Sequence, residues 1–124
     1  MFSLARTLNN RLGAFLFGFL FAHMSFAIPV KRLRETDTLL AFHHPRPSYP
    51  LHILLVPKCA IRSLGALRAQ DNDFLADLYQ SVQSLVAEFD LEASGYRLIV
   101  NGGKYQETPQ LHFHLIAGIE KGER

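Results

Sequence analysis

An α+β domain, with a largely antiparallel sheet packed against one long helix, is what this sequence predicts. Three observations carry that reading. Apolar residues recur at three- and four-residue steps from Phe74 to Phe89. Two short apolar runs precede that stretch and two follow it. Clusters of proline and glycine separate the runs. The order strand pair, helix, strand pair favours an α+β arrangement. A length of 124 residues suits one domain, and a composition 48% hydrophobic and 19% charged suits a packed core. The net charge of +2 is too small to argue for a nucleic-acid partner, and none is expected. The single cysteine, Cys59, excludes an intrachain disulfide and a cysteine-based zinc site.

The elements follow in order. Residues 12–28, LGAFLFGFLFAHMSFAI, form an apolar run without formal charge, with Arg6 and Arg11 before it and Lys31, Arg32 and Arg34 after it. Membrane-spanning helices want roughly 20 residues, so the run is slightly short for one. Three readings stay open: a membrane anchor, a cleaved signal peptide ending near Ser25-Phe26-Ala27, and a buried part of the domain. The basic residues after the run would keep that side cytoplasmic. The chain therefore divides into an N-terminal segment, residues 1–28, and a domain, residues 29–124. TLLAFHH, 38–44, reads as a strand, and PRPSYP, 45–50, as a turn holding three prolines. LHILLVPK, 51–58, is a strand closed by Pro57. Residues 59–70 are mixed, with room for one short helix. Asp71, Asn72 and Asp73 offer capping oxygens where the stripe Phe74, Leu75, Leu78, Val82, Leu85, Val86 and Phe89 begins. YRLIVN, 96–101, is a further strand, GGKYQETP, 102–109, a loop, and LHFHLIAG, 111–118, the last strand. Cys59 reads as a small buried hydrophobe.

The stretch QLHFHLIAG, 110–118, holds the candidate chemistry. Side chains alternate along a strand, so Gln110, His112 and His114 fall on one face, about 7 Å between successive positions. Leu111, Phe113 and Leu115 fall on the other, which must face the helix. Two histidines on one face beside a glycine loop admit three readings. They are structural donors, or metal ligands with His52 and Glu107 completing the set, or a nucleophile and its companion. The metal reading is weak in ligand count, and no metal is expected. Nucleophilic attack needs an imidazole with one nitrogen unprotonated and the other holding its proton against an acceptor.

The stretch resembles the histidine-triad signature, His-φ-His-φ-His-φ-φ, reading here Gln-Leu-His-Phe-His-Leu-Ile with Gln110 in the first position. The resemblance extends over most of the chain from about Ile28. ETDTLLAFHHPRPSYPLHILLVPKCAI is similar to the family's first strand, nucleoside loop and second strand. GYRLIVNGGKYQETPQ is similar to its strand, Asn, glycine loop and Gln before the triad. The resemblance implies a nucleotide phosphate hydrolase or nucleotidyl transferase. His112 would be the nucleophile forming a nucleotidyl-histidine intermediate, His114 a donor to phosphate oxygens, and His52 a supporting histidine. It places Asn101 and Gln106 at the phosphate region, with Gly103 allowing close backbone approach. It implies no cofactor, a nucleotide-like phosphate ligand and a homodimer through the long helix and an adjoining strand.

The departures are specific. Gln110 cannot become cationic, although it can donate and accept hydrogen bonds. His44 stands where the nucleotide-binding branch usually has an acid that bonds the ribose hydroxyls. Glu107 stands near a usual hydroxyl donor, a role that passes to Thr108. The loop before the triad is about two residues short. The branch with Gln at the third motif position, the galactose-phosphate uridylyltransferases, is not indicated. These departures leave a second function open, a module that binds a nucleotide without turning it over. The expected location is membrane-associated with the domain facing the cytoplasm, the alternative being cytoplasmic throughout.

Overall fold

The computed structural model describes residues 31–122. The anchor or leader expected over residues 12–28 lies outside them. Among the described residues no helix is long and apolar enough to cross a membrane.

Five strands form one antiparallel sheet: β1 (Arg32–Glu35), β2 (Leu39–His43), β3 (Leu51–Pro57), β4 (Arg97–Val100) and β5 (Phe113–Ala117). Their spatial order is β1-β2-β3-β5-β4. The long helix α1 (Asn72–Glu88) and a single turn, α2 (Leu91–Ser94), connect β3 to β4. The predicted α+β class, with a mainly antiparallel sheet and one long helix, is therefore the observed architecture of the described residues.

The helix forms where the apolar stripe predicts it. Phe74, Leu78, Val82, Leu85 and Val86 are buried along its inner side. They meet Leu39, Ala41, Ile53, Leu55, Leu111, Phe113 and Leu115 from alternate positions of the sheet. The rings of Phe74 and Phe113 lie 6.2 Å apart at its centre. Asp90 ends the helical stretch in a left-handed conformation, φ 53°, which Asp tolerates better than most residues.

β1 is the strand that patterning missed. Its sequence, RLRE, carries no apolar alternation, and polar contacts accompany its ladder at the sheet's edge. Arg32 pairs with Glu35 at 2.9 Å, Lys58 with Glu35 at 2.7 Å, and Arg34 with Glu88 of α1 at 2.7 Å. These partly exposed pairs contribute little each, so the backbone ladder to β2 carries the strand. Cys59 is exposed rather than buried, because it follows Pro57 just beyond the end of β3.

Candidate active site

β3 and β5 are neighbours, with Leu54 opposite His114 and His52 opposite Ile116. The His44 backbone N–H donates to the His52 carbonyl at 2.8 Å, just after β2 ends. His112 directly precedes β5. Three strands thus bring four imidazoles together. Ring centroids are 4.4 Å apart for His44 and His52, 5.1 Å for His52 and His114, 5.0 Å for His112 and His114, and 6.3 Å for His44 and His114. His43 takes no part; it is exposed and stands edge-on to Phe89 at 6.2 Å.

The hydrogen-bond partners fix the tautomers of the neutral rings, an assignment made from the bonding rather than from hydrogens. His112 Nδ1 lies 2.8 Å from the Gln110 carbonyl oxygen. A carbonyl only accepts, so Nδ1 carries the proton and Nε2 keeps its lone pair. The Ser48 backbone N–H donates to His52 Nδ1 at 3.0 Å, so the proton of His52 sits on Nε2. That N–H donates to His114 Nδ1 at 2.9 Å, which leaves His114 with Nε2–H as a donor. The Arg46 backbone N–H donates to His44 Nδ1 at 2.9 Å, and His44 likewise presents Nε2–H. The cluster therefore offers one aimed lone pair, on His112, beside two N–H donors.

The turn 45–50 makes this possible. Pro45, Pro47 and Pro50 have no N–H, and two of the three that remain, on Arg46 and Ser48, are the donors to His44 and His52. Gly118, at φ +88°, lets β5 end close beneath this turn; a side chain there would bring its Cβ within 2.7 Å of Pro50 Cγ. The Lys121 N–H completes the attachment at the Ser48 carbonyl, 2.7 Å away. The sequence marked this stretch as a turn, but nothing in its pattern marked it as the device that sets imidazole protonation.

Burial holds the inner rings neutral. It lowers the His52 pKa to about 4, helped by the nearby charge of His44. His114 also falls to about 4, chiefly by burial, then through His112, His52 and His44. His44 is lowered by the same causes, burial first and His112 second. The consequence for stability has a definite sign. Between the ordinary value of 6.5 and about 4, the unfolded chain binds more protons than the folded one. Stability therefore rises with pH across that window and is lost on acidification. Calorimetry at constant ionic strength is expected to show Tm level above pH 7 and falling steadily from about pH 6.5 to 4. A Tm flat across that window would remove the buried neutral pair.

Gln110 is the principal correction. Alternation predicts its side chain on the open face with His112 and His114. It is instead 4% exposed, and its amide donates to the Cys59 carbonyl at 2.9 Å and to the Pro57 carbonyl at 3.4 Å. The reason is that β5 begins only at Phe113, so strand alternation does not govern residue 110. What Gln110 gives His112 is its backbone carbonyl. Gln106 is also occupied: its amide donates to the Arg62 carbonyl at 2.6 Å and the Thr108 carbonyl at 2.9 Å, and so ties the loop together. Asn101 follows the last pair of the β4–β5 ladder, Val100 opposite Phe113, and so comes next in line with His112. Gly103 sits at φ +59° in a short 3₁₀ turn, Gly103–Tyr105. Thr108 is half-buried and Glu107 exposed. Among the described residues no group of three or more His, Cys, Asp or Glu side chains is placed to hold a metal ion; both ring nitrogens of His52 are already engaged.

Residues 25–121 match the HIT domain family model. A HIT-like protein of Azospirillum brasilense is 36% identical over 98 residues, 77% of this chain and 80% of that protein. Among solved structures, a HIT family hydrolase from Legionella pneumophila is 30% identical with a TM-score of 0.72, covering 85% of this chain and 93% of that one. A histidine triad protein from Clostridium difficile is 29% identical with a TM-score of 0.72, covering 88% and 94%. With the family model spanning most of the sequence and the fold shared across these relatives, this chain belongs to the HIT domain family.

Proposed function

We propose that this protein is a nucleotide phosphate hydrolase or nucleotidyl transferase with His112 as its nucleophile. The observation that carries the reading is the 2.8 Å contact of His112 Nδ1 with the Gln110 carbonyl, which leaves Nε2 unprotonated and its ring oriented. Nε2 attacks the phosphorus, a P–N bond forms, and the bond to the leaving group breaks with its electron pair. His114 Nε2–H donates to the phosphate oxygens as negative charge gathers on them; such donors are worth roughly 2.7–4 kcal/mol in favourable cases. Water, or an acceptor in transfer, then attacks the phosphorus of the nucleotidyl-histidine and releases His112. His52 holds the His114 tautomer. His44 offers Nε2–H to the nucleoside, Asn101, Gly103 and Thr108 line the phosphate region, and Gln106 keeps the loop in shape. The hydrolase relative from Legionella pneumophila supports the class of reaction.

The second reading, a module that binds a nucleotide without turnover, is favoured by one observation. Gln110 is turned inward, so its amide is not available beside the imidazoles. A thermal-shift screen of nucleotides, with turnover and covalent adducts assayed for every hit, separates the two. The expected result is an acid-labile adduct on His112 in a rapid quench. Stabilisation by a nucleotide with neither adduct nor turnover would establish the binding module instead.

A homodimer is part of the proposal. Among the described residues β4 pairs with β5 alone and leaves its other side as an open edge. Leu98, Ile99 and Val100 on it are half-buried, and Tyr79 of α1 and Tyr96, just before β4, are exposed. A hollow of about 430 Å³ beside them is lined by Val82, Val86 and Tyr96 among others. A two-fold partner presenting the same strand and helix would cover all of these. Sedimentation is expected to give twice the 14.0 kDa chain mass, and a monomer at high concentration would count against it. A cytoplasmic location suits a nucleotide substrate and is preferred here to the membrane-associated alternative.

A further inference from the structure

The imidazole cluster is rich in donors and short of acceptors. Ring centroids set it out as a row, His112, His114, His52 and His44, with successive spacings of 5.0, 5.1 and 4.4 Å. His44 is thus the end remote from the attacking nitrogen. Its ring lies within 20° of parallel to that of His114, with centroids 6.3 Å apart. His44 Nδ1 is taken by the Arg46 N–H at 2.9 Å, so Nε2–H is what it presents, and among the described residues no protein group receives it. Burial, and after it the charge of other imidazoles, sets the pKa values of His44, His52 and His114; no carboxylate is among the causes. The turn 45–50 beside His44 holds one charged residue, Arg46, and it is a cation.

We propose that His44 selects a nucleotide whose sugar carries a second phosphate, and that its Nε2–H binds that phosphate. The inference rests on the nucleotide reading above and holds whether the ligand is turned over or only bound. In an in-line displacement the leaving group departs opposite the attacking atom, here His112 Nε2. The nucleoside and the oxygens that meet His114 stand around the phosphorus, so it is the nucleoside that extends along the row to His44. A sugar hydroxyl donates as well as accepts. Its proton would find no acceptor on His44, because a lone pair at Nε2 requires the proton at Nδ1, against the Arg46 N–H. A phosphate only accepts, and a hydrogen bond to its charged oxygens is stronger than one to a neutral hydroxyl or base carbonyl. With no acid at this end to repel it and Arg46 in the adjoining turn, the preferred group is the anion.

Calorimetric titration of the full-length protein tests this, in a His112→Ala background so that no ligand is consumed. The ligands are adenosine 5′-monophosphate, its 2′,3′-dideoxy form, adenosine 3′,5′-bisphosphate and adenosine 5′-diphosphate. The bisphosphate is expected to bind about tenfold more tightly than the monophosphate, the scale of one hydrogen bond to a charged group. The diphosphate is expected to show no gain that depends on His44, and the dideoxy form to bind like the monophosphate. Adding His44→Gln, which keeps a donor, should retain most of the gain. Adding His44→Asp, which replaces the donor with a carboxylate, should reverse it and make loss of the sugar hydroxyls weaken binding. Equal binding of bisphosphate and monophosphate would overturn the proposal while leaving the nucleotide reading in place. So would a gain that survives His44→Asp, or a gain for the diphosphate that disappears with His44. If none of these nucleotides binds, the nucleotide reading itself fails and the proposal falls with it.

Discussion

Replacing His112 with alanine is expected to abolish turnover, by about 10⁴-fold or more, while Tm stays close to that of the parent. The size follows from losing the attacking atom itself, which nothing else in the cluster replaces. His114 Nδ1 is occupied by His52, and both nitrogens of His52 are engaged. The fold should survive because His112 is only half-buried and its one side-chain bond is to a backbone carbonyl. Gln110→His is the informative companion. The bond that orients His112 comes from the backbone of residue 110, so changing that side chain leaves it in place. The variant is expected to lose far less than His112→Ala, and a gain would show that a first imidazole restores a missing proton relay. Steady-state kinetics of the three proteins, with adduct yield after rapid quench, measure both effects. Equal turnover in the parent and His112→Ala would end the catalytic reading.

How far the sequence reached is best seen residue by residue. The helix was legible because Phe74, Leu78, Val82, Leu85 and Val86 recur with the helical period and that period alone predicts one buried stripe. β2, β3 and β4 were legible to within a residue or so, as apolar runs closed by Pro, Gly or polar residues. β1 was not, since an edge strand held by its ladder and by ion pairs needs no apolar pattern. In the site, the His112 and His114 pair was legible as an alternation on a strand, and His52 and His44 through the family resemblance. The inward turn of Gln110 was hidden because the periodic rule stops applying where pairing stops, one residue past His112. The backbone donors of Arg46 and Ser48 were hidden for a different reason. Every residue except proline has an N–H, so no residue type announces that one of them donates to a neighbouring ring and fixes its tautomer.

That hidden device leads to the second large effect, at His52. Its Nε2–H reaches His114 Nδ1, and its own Nδ1 takes the Ser48 N–H. His52→Leu removes a donor and an acceptor from a buried setting. The Ser48 N–H and His114 Nδ1 each lose a partner, and each such loss costs about 1–3 kcal/mol, so Tm is expected to fall. His114 is then free to carry its proton on Nδ1, which would turn an unprotonated Nε2 towards phosphate oxygens that are themselves acceptors. Turnover is expected to fall about 100-fold, the usual scale for removing one preorganised donor. A loss of folded protein would also lower activity, so the pH profile must decide. Burial is the first cause that depresses His114 to about 4, and after His112 the charge of His52 adds to it. Without that charge the acidic limb of kcat/KM is expected to move upward, towards the ordinary imidazole value. His52→Gln, whose amide can both accept from Ser48 and donate to His114, is expected to recover part of the rate while the limb stays raised, because a neutral amide supplies no charge. Should His52→Leu lose activity only in proportion to its unfolded fraction, with the limb unmoved, His52 would be a packing residue and the imidazole chain would have no part in catalysis.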